Sequence, residues 1–342
     1  MMDENARALL NGRKHRWLVT GAAGFIGSNI VEALLGAGQE VVGLDNLSTG
    51  AEHNLDAALA PLADEERARF TFIRGDVRDA ATCAKAAKGA TYVLHQAALG
   101  SVPRSIHDPL TTHDVNATGF LNILQAARQA GVERVVYASS SAVYGDEPTL
   151  PKLEECTGSP LSPYAATKAM NELTAQSFAN AYGQQSVGLR YFNIFGPRQD
   201  PEGAYAAVIP KWVAAMLAGE AIHIYGDGET SRDFCHVSDV VQANIRAAVT
   251  PMDLTHDIYN VAAGQPTTLN DLVAVLRDSL GARGIRYDQD AEHRAFREGD
   301  IRHSHASIAK AHDALGYQPT ITLAKGIDAS LDWYVERARR AD

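Results

Sequence analysis

The sequence predicts an α/β protein built on a doubly wound parallel sheet, with a smaller α/β region toward the C-terminus. Three observations carry this prediction: short apolar segments alternate with stretches of helical length, a glycine-rich turn follows the first apolar segment, and an acidic residue ends the second. Strands that alternate with helices in this way form parallel sheets covered on both faces.

The predicted strands come in a regular order along the first 193 residues. They are RWLVT at 16–20, EVVGLD at 40–45, FTFIRGD at 70–76, TYVLHQAA at 91–98, RVVYASS at 134–140 and SVGLRYFN at 186–193. Helices are expected at 24–36, 111–130 and 163–182, the last opened by Ser162 as N-cap and Pro163 in the first turn. Beyond about residue 195 the rhythm changes, and 222–234 is predicted to be a hairpin around Gly-Asp-Gly.

Composition narrows the class of protein. The chain has 342 residues, 46% of them hydrophobic and 21% charged, which suits one large or two modest domains. A formal charge of −10 argues against binding to nucleic acid. The sequence contains no apolar run of membrane-spanning length and begins with a polar segment, so no membrane association is expected.

The cysteines and histidines indicate neither a disulfide framework nor a metal site. Cys83, Cys156 and Cys235 are odd in number and far apart, so we expect reduced thiols in the cytoplasm. Three histidines of the C-terminal half lack coherent ligand spacing and are not expected to bind a metal; they are His223, His236 and His303.

The turn after the first strand is typical of a phosphate-binding site. Gly21, Gly24 and Gly27 are spaced three apart between a strand and a helix, where they let the backbone approach a pyrophosphate at the helix N-terminus. Asp45 ends the next strand, where its carboxylate suits two ribose hydroxyls and would repel a 2′-phosphate. The pattern therefore favours NAD over NADP; the alternative is that the glycines serve helix packing alone.

Tyr164 and Lys168 lie four positions apart at the start of the helix predicted at 163–182, and therefore on one face of it. Local geometry leaves two interpretations open. The pair is either an ordinary helix start or the two parts of a proton-transfer site.

The glycine spacing differs from Gly-x-Gly-x-x-Gly and resembles that of the extended short-chain dehydrogenase/reductase superfamily. The likeness covers nearly the whole chain and includes Asp76 in GDVRD, HQAA at 95–98, Asn116 in DVNATGFLNIL, SSSAVYGD at 139–146, SPYAATK at 162–168 and RYFNIFGP at 190–197. The resemblance implies a Rossmann-type domain at 14–193 and 240–263 and a substrate region at 194–239 and 264–342. The segment at 1–13 is expected to be flexible.

The resemblance also implies roles for single residues. Tyr164 and Lys168 would be catalytic, a serine before VYG would hydrogen-bond the reacting oxygen, and Asp76 would meet the adenine. Counting back from Tyr144 favours Ser140, whereas Ser141 ends the serine triplet, so both stay open. The residues that would contact NAD are Gly21, Gly24, Phe25, Ile26, Gly27, Asp45, Asn46, Asp76, Val77, Gln96, Ala97, Tyr164 and Lys168.

The chemistry of these residue types agrees with that implication. Tyrosine has an ordinary pKa of about 10, and a nearby ammonium such as that of Lys168 lowers it by stabilising the phenolate. Tyr164 would then take a sugar hydroxyl proton while a hydride leaves the same carbon for NAD. Dehydratases and decarboxylases of the superfamily carry a glutamate two residues before the VYG tyrosine. Ala142 stands there in this chain, which favours epimerisation.

The segments at 203–212, 225–234 and 296–304 resemble the substrate region of UDP-sugar C4-epimerases. By that resemblance Arg232 and Arg297 would clamp the diphosphate, with Asp300 and Asn193 nearby, and guanidinium groups suit phosphate oxygens. The implied substrate-binding residues are Gly100, Ser101, Asn193, Ala207, Val208, Trp212, Tyr225, Arg232, Arg297, Asp300 and Ser304.

A narrower likeness is carried by LGSVPRSIHDP at 99–109, which is similar to bacterial UDP-N-acetylglucosamine/UDP-N-acetylgalactosamine C4-epimerases of surface-polysaccharide pathways. Their small pocket residues match Gly100, Ser140, Ala207 and Ser304, which would leave space for an acetamido group. An epimerase of the corresponding uronic acid, a dehydratase or decarboxylase, and a catalytically silent NAD-binding protein stay as alternatives. The helices at 111–130 and 163–182 match those that pair in family dimers, so a homodimer is expected.

Overall fold

A computed structural model of the protein describes residues 4–10, 12–201, 207–296 and 301–341. The helices in these ranges are α1 Glu4–Leu9, α2 Phe25–Gly36, α3 Glu52–Leu59, α4 Asp64–Arg67, α5 Ala80–Ala87, α6 Val102–His107, α7 Pro109–His113, α8 Gly119–Ala130, α9 Pro163–Tyr182, α10 Val208–Leu217, α11 Val237–Val249, α12 Leu269–Gly281, α13 Ala309–Leu315 and α14 Leu323–Ala341. A π-helical turn at Asp114–Thr118 joins α7 to α8, and a 3₁₀ turn covers Ser141–Tyr144.

The strands in the described ranges are mostly short. They are β1 Arg16–Thr20, β2 Glu40–Asp45, β3 Phe70–Arg74, β4 Tyr92–His95, β5 Arg134–Ser140, β6 Ser186–Tyr191, β7 Ile194–Phe195, β8 His223–Tyr225, β9 Ser231–Asp233, β10 Cys235–His236, β11 His256–Val261, β12 Pro266–Thr268, β13 Glu292–Arg294 and β14 His303–Ser304.

Seven strands form one parallel sheet in the order β11-β6-β5-β4-β1-β2-β3. The chain moves outward from β1 through β2 to β3, then returns to the other side of β1 with β4. Loops that leave β1 and β4 therefore part in opposite directions and open a crevice at the carboxyl ends of the strands, where ligands bind in folds of this kind. The predicted doubly wound parallel sheet is confirmed.

Helices cover both faces of this sheet. The neighbouring residues Trp17 and Leu18 on β1 are both fully buried, yet they belong to different apolar clusters. Successive side chains of a strand point to opposite faces, so each face has its own core. This explains why the strands read as continuous apolar runs in the sequence.

Within the described residues, the chain from Ile194 onward contributes most of a separate core and of three small sheets. Phe195, Trp212, Leu276 and Leu331 are among the residues buried in this core. Strand β9 pairs with β12 in the antiparallel and with β14 in the parallel direction, while β8 pairs with β13 and β7 with β10. Strand β11, by contrast, returns to the large sheet as its edge beside β6.

The prediction of a hairpin at 222–234 is wrong. Strands β8 and β9 do not pair with each other but join different small sheets. Gly226 and Gly228, with φ of +90° and +81°, turn the chain away, and their α-carbons pack against Phe296 and Asn270 so closely that a Cβ would clash. The partners of β8 and β9 come from residues 266–304, which local turn signals do not reveal.

The N-terminal segment, expected to be flexible at 1–13, contains helix α1 within the described residues. Leu10 follows it and is buried in the core on the α2 side of the sheet. Residues 1–3 and 11 lie outside the described ranges. Across those ranges, the chain forms no helix of the length and apolarity needed to span a membrane.

Candidate active site

The glycines between β1 and α2 form a tightly packed turn at the crevice. Gly21 has a φ of +67°, and a Cβ on it would lie 2.8 Å from the backbone nitrogen of Ala97. A Cβ on Gly27 would lie 2.0 Å from the carbonyl oxygen of Gly21. A side chain at either position would therefore push the turn and the helix apart.

The first turn of α2 offers unpaired donors to this crevice. Gly24 is the N-cap and makes no side-chain capping bond, and Phe25 and Ile26 follow it as half-buried first-turn residues. The first N–H groups of a helix have no intrahelical acceptor and carry the positive end of the dipole. An uncapped end of this kind suits a phosphate.

The Asp45 carboxylate is held in place at the end of β2. It accepts hydrogen bonds from the backbone N–H groups of Ala23, at 3.0 Å, and Leu47, at 2.7 Å. The first of these donors belongs to the glycine turn itself. The carboxylate and the turn are thus one rigid unit.

Asp76 lies beside this unit, after β3. Its carboxylate accepts from the Asn46 amide at 2.7 Å and from the Arg78 guanidinium at 3.0 and 2.8 Å. These bonds, chiefly those from Arg78, hold the pKa of Asp76 well below its usual range. Val77 is buried, and its side chain packs so close to Gly119 that a Cβ there would lie 2.6 Å away.

The residues after β4 close the other side of the crevice. The Ala97 N–H donates to Thr20 Oγ1 at 3.2 Å. Gln96 belongs to a closed ring of hydrogen bonds: it donates to Asn244 at 2.9 Å, Asn244 donates to Tyr191 Oη at 2.8 Å, and Tyr191 donates back to Gln96 at 3.0 Å. This ring ties the crevice to helix α11.

Helix α9 presents Tyr164 and Lys168, as its predicted range and cap imply. Ser162 Oγ accepts the Ala165 N–H at 3.1 Å, which places Tyr164 in the first turn. Lys168 is buried, donates to the carbonyl oxygen of Ala138 at 2.8 Å, and has its Nζ 5.9 Å from the centre of the Tyr164 ring. The two side chains therefore share one environment.

Burial acts on both members of the pair. It raises the pKa of Tyr164, against which a hydrogen bond with Ser140 acts. It lowers the pKa of Lys168 to about 8, against which the Glu172 carboxylate acts. Burial disfavours the charged form of each residue, and the neighbouring groups offset only part of that effect.

The structure brings Ser140, at the end of β5, into hydrogen-bond contact with Tyr164. Its Oγ also accepts the Ala142 N–H at 3.1 Å. Ser141 lies one residue on, at the start of the 3₁₀ turn. The geometry thus favours Ser140 for the role that the sequence left open between the two serines.

On the substrate side, three predicted residues meet around β9. The Asn193 amide donates to the carbonyl oxygen of Asp233 at 3.2 Å, and Asn193 itself has a φ of +38°, a conformation that asparagine tolerates. Ser304 on β14 is the direct register partner of Arg232 on β9. Directly paired residues of neighbouring strands point to the same face, so these two side chains are adjacent.

The other predicted substrate residues lie on several elements. Gly100 is exposed, Ser101 caps α6, Ala207 and Val208 open α10, and Tyr225 ends β8. Trp212 packs in the C-terminal core. Arg297 and Asp300 lie outside the described residues. Within the described part of the chain, His, Cys, Asp and Glu form no group of three or more that could hold a metal ion.

Taken together, the cradle fits an adenine dinucleotide. The uncapped first turn of α2 stands where Gly21 and Gly27 leave no room for side chains, and the fixed Asp45 carboxylate suits ribose hydroxyls. A family model described as NAD dependent epimerase/dehydratase matches residues 17–262. The chain belongs to the NAD-dependent epimerase/dehydratase family.

Known members of this family align with nearly the whole chain. The UDP-glucose 4-epimerase of Mycolicibacterium smegmatis is 37% identical over 95% of this chain and 100% of its own length. The solved UDP-N-acetylglucosamine 4-epimerase of Methanobrevibacter ruminantium M1, in complex with UDP-N-acetylmuramic acid, is 39% identical with a TM-score of 0.86, covering 95% and 99%. MoeE5 in complex with UDP-glucuronic acid and NAD is 33% identical with a TM-score of 0.78, covering 96% and 100%.

Two residues of this family member have structural roles at the site that sequence reasoning missed. Asn116 lies in the π-helical turn. Its side chain accepts from the Leu99 N–H at 2.8 Å and donates to the Leu99 carbonyl oxygen at 3.2 Å. It also donates to Thr167 Oγ1 at 3.1 Å. It thereby joins the loop after β4 to the helix of Tyr164. Glu172 is buried beside Lys168, and its spacing of four residues from Lys168 was a signal that could have found it.

Proposed function

We propose that the protein is an NAD-dependent C4-epimerase of UDP-sugars whose substrates are UDP-N-acetylglucosamine and UDP-N-acetylgalactosamine. The observation that carries the proposal is the placement of Ser140 and Lys168 against Tyr164, in a chain whose β1–α2 turn fits a dinucleotide. Bound NAD would supply a reversible hydride acceptor for the C4 carbon of the sugar.

The protein's own residues would handle the proton and the oxygen. Tyr164 takes the C4 hydroxyl proton as the ketone forms and returns it when the opposite face is reduced. Lys168 holds a positive charge that favours the phenolate. Ser140 hydrogen-bonds the reacting oxygen through both directions of the reaction. Residues that bind the diphosphate of the UDP-sugar, Arg232 among them, would hold the nucleotide in place. The keto sugar could then rotate and present its opposite face to the returning hydride.

Ala142 supports epimerisation over elimination. It stands in the 3₁₀ turn two residues before Tyr144. The dehydratases and decarboxylases that this chain resembles carry a glutamate at that position. A methyl group has no proton to give or take, so a second acid/base step at this position would lack its catalyst. Oxidation and reduction at one carbon need no such group.

The proposed N-acetyl preference is supported by small residues on the substrate side. Ser304 stands beside Arg232 on neighbouring strands, so a sugar whose diphosphate met Arg232 would extend past a small hydroxyl side chain. Gly100 and Ala207 add no bulk in the loops after β4 and before α10. We infer that this side accommodates the acetamido group.

We further propose that the protein is a homodimer through helices α6 to α9. Leu110 on α7 is 83% exposed and Leu173 on α9 is 72% exposed, and the exposed apolar side chains of this face continue with Val102, Ile106, Leu121 and Met170. Helices α6 and α7 both pack against α9. A second copy of this face would bury these side chains, as the paired helices of related dimers imply.

We also propose that the reaction takes place in the cytoplasm. Cys83, Cys156 and Cys235 all carry free thiols, two of them buried. Free thiols in this number are typical of a reducing compartment.

Incubation of the purified protein with UDP-sugars and no added NAD tests the function. UDP-GlcNAc and UDP-GalNAc should interconvert without a change of mass, detected by proton NMR and mass spectrometry. UDP-Glc, UDP-Gal, UDP-glucuronic acid and the hexosaminuronic analogue complete the panel. Conversion of a uronic acid alone would reassign the sugar, loss of water or carbon dioxide would reveal an elimination or decarboxylation, and accumulation of free NADH would reveal a net dehydrogenase.

A further inference from the structure

Three consecutive residues at the end of β5 each contact helix α9. The carbonyl oxygen of Ala138 accepts from Lys168 at 2.8 Å, the hydroxyl of Ser139 donates to Glu172 at 2.5 Å, and the hydroxyl of Ser140 contacts Tyr164. The three helix residues lie at positions i, i+4 and i+8, on one face of α9. These contacts therefore fix the alignment of β5 against α9, which we call the register of the strand and the helix.

Glu172 has a second anchor on β6. It accepts from Arg190 through Nε at 2.9 Å and through Nη2 at 2.8 Å, a bidentate geometry that fixes the carboxylate in one orientation. Arg190 is itself fixed, because it donates to the carbonyl oxygen of Glu154 at 2.9 Å and lies 4.8 Å from the Tyr144 ring centre. Glu172 thus joins three elements that meet at the site.

The charge of Glu172 bears on Lys168. The ionisable groups that face Lys168 are Tyr164 and Glu172 from its own helix and His95 from β4, with Arg190 from β6 beyond Glu172. Burial lowers the pKa of His95 to about 3, so this residue is neutral. The Glu172 carboxylate is then the neighbour that favours a protonated Lys168, against the burial that lowers the Lys168 pKa.

We propose that Glu172 is a positioning residue for the reaction: through Ser139 it holds Tyr164 in register with Ser140, and it supplies the negative charge that faces Lys168. Glu172 would touch neither substrate nor cofactor. The inference rests on the proposed function only for its kinetic readout.

Ser139→Ala is the sharpest test of the register, because it removes one hydrogen bond to Glu172 and leaves the ion pair with Arg190 intact. We expect kcat for UDP-GlcNAc to fall about tenfold with KM changed less than about twofold, since a small misplacement of an acid/base group acts on turnover. The pKa of Tyr164 should rise, because its bond with Ser140 loosens. Ser139→Thr keeps a hydroxyl in a strand position that favours β-branched residues and should restore both values.

Ser186→Ala is the matched control. Ser186 is also a buried strand serine with one side-chain hydrogen bond, to His256 Nδ1 at 2.9 Å, but it begins β6 and so lies at the end of the strand opposite the carboxyl ends that border the crevice. It should lose a similar amount of thermal stability and keep kcat. Equal kinetics for the two alanine variants, or a folded Ser139→Thr that fails to recover, would overturn the register proposal.

The Tyr164 pKa is read without substrate, from the ultraviolet absorbance of the phenolate as a difference from Tyr164→Phe in the same background. If the wild-type protein converts no UDP-sugar, the proposed function fails while this titration still decides the register proposal. An unchanged Tyr164 titration in Ser139→Ala would overturn it.

Glu172→Gln tests the charge. Lys168 loses its proton as the pH rises through its lowered pKa of about 8, so turnover should decline there. Without the carboxylate that decline should move to lower pH by about one pH unit, the scale of a nearby opposite charge. An unmoved decline in a folded variant would overturn the charge proposal. Glu172→Gln combined with Arg190→Gln removes the carboxylate without leaving a buried guanidinium unpaired, and should move the decline in the same direction if the single variant does not fold.

Discussion

Tyr164 is the residue on which the proposed proton transfer most directly depends. Tyr164→Phe keeps the ring and removes only the hydroxyl that contacts Ser140. We expect kcat to fall about 10²-fold or more, the usual scale for a positioned acid/base group, with the fold and the bound NAD retained. Turnover and the NAD released on denaturation are the measurements. Tyr182→Phe, at the exposed end of the same helix, is the control, and near-normal turnover of Tyr164→Phe would make Tyr164 an ordinary first-turn residue.

The serine triplet gives a second prediction at the residue scale. Ser140→Ala should reduce kcat by about 10²-fold, the scale of losing one donor to a reacting oxygen, because Ser140 is the serine whose hydrogen bond acts on Tyr164. Ser141→Ala should cost much less. Steady-state kinetics of both variants with UDP-GlcNAc decides between them, and the reverse order of effects would assign the role to Ser141.

Ser304 carries the prediction on the sugar. Ser304→Tyr would place an aromatic ring beside Arg232, where we expect the acetamido group. Overpacking typically costs about 1–3 kcal/mol, and UDP-glucose lacks the group that would meet the ring. The ratio of kcat/KM values should therefore move toward UDP-glucose by roughly tenfold to a hundredfold. Equal losses on both sugars, or none, would remove Ser304 from the pocket.

At the scale of elements, the packing of α2 against the glycine turn governs cofactor binding. Gly27→Ala puts a Cβ 2.0 Å from the Gly21 carbonyl oxygen, so the helix must move from the turn, and we expect loss of bound NAD together with lower thermal stability. Gly36→Ala, at the other end of α2, meets only the Leu62 side chain at 3.6 Å and should keep both. Retained NAD in a folded Gly27→Ala would show that the cradle tolerates displacement.

At the scale of the whole molecule, the apolar face of α6 to α9 predicts assembly. The wild-type protein should have twice the mass of one chain in size-exclusion chromatography with light scattering. Leu110→Glu combined with Leu173→Glu should give a monomer, because buried unpaired carboxylates would oppose association. Leu254→Glu changes a leucine that is 60% exposed on a different part of the surface and should leave the dimer intact. A monomeric wild-type protein would contradict the proposal.

The large sheet and helix α9 could be predicted from the amino-acid sequence alone. Apolar runs of strand length alternate with helices because a parallel sheet buries both faces. This pattern can be recognised in the sequence without knowing which strands pair. Helix α9 begins at Pro163 and ends at Tyr182 as predicted, since Ser162 and Gly183 cap it locally. The glycine turn could be predicted for the same reason, because the residues that determine its conformation lie close together in the sequence.

Which distant residues meet depends on how the whole chain packs. Strands β8 and β9 pair with segments up to about seventy residues away, because a strand pairs with whatever edge the packed chain brings to it, and turn signals carry no information on that edge. Ser140 reaches Tyr164 because β5 and α9 pack against each other, which no local pattern in either segment reveals. Glu172 can be buried beside Lys168 because Ser139 on β5 and Arg190 on β6 donate hydrogen bonds to its carboxylate. A buried carboxylate needs such donors, and here separate elements supply them.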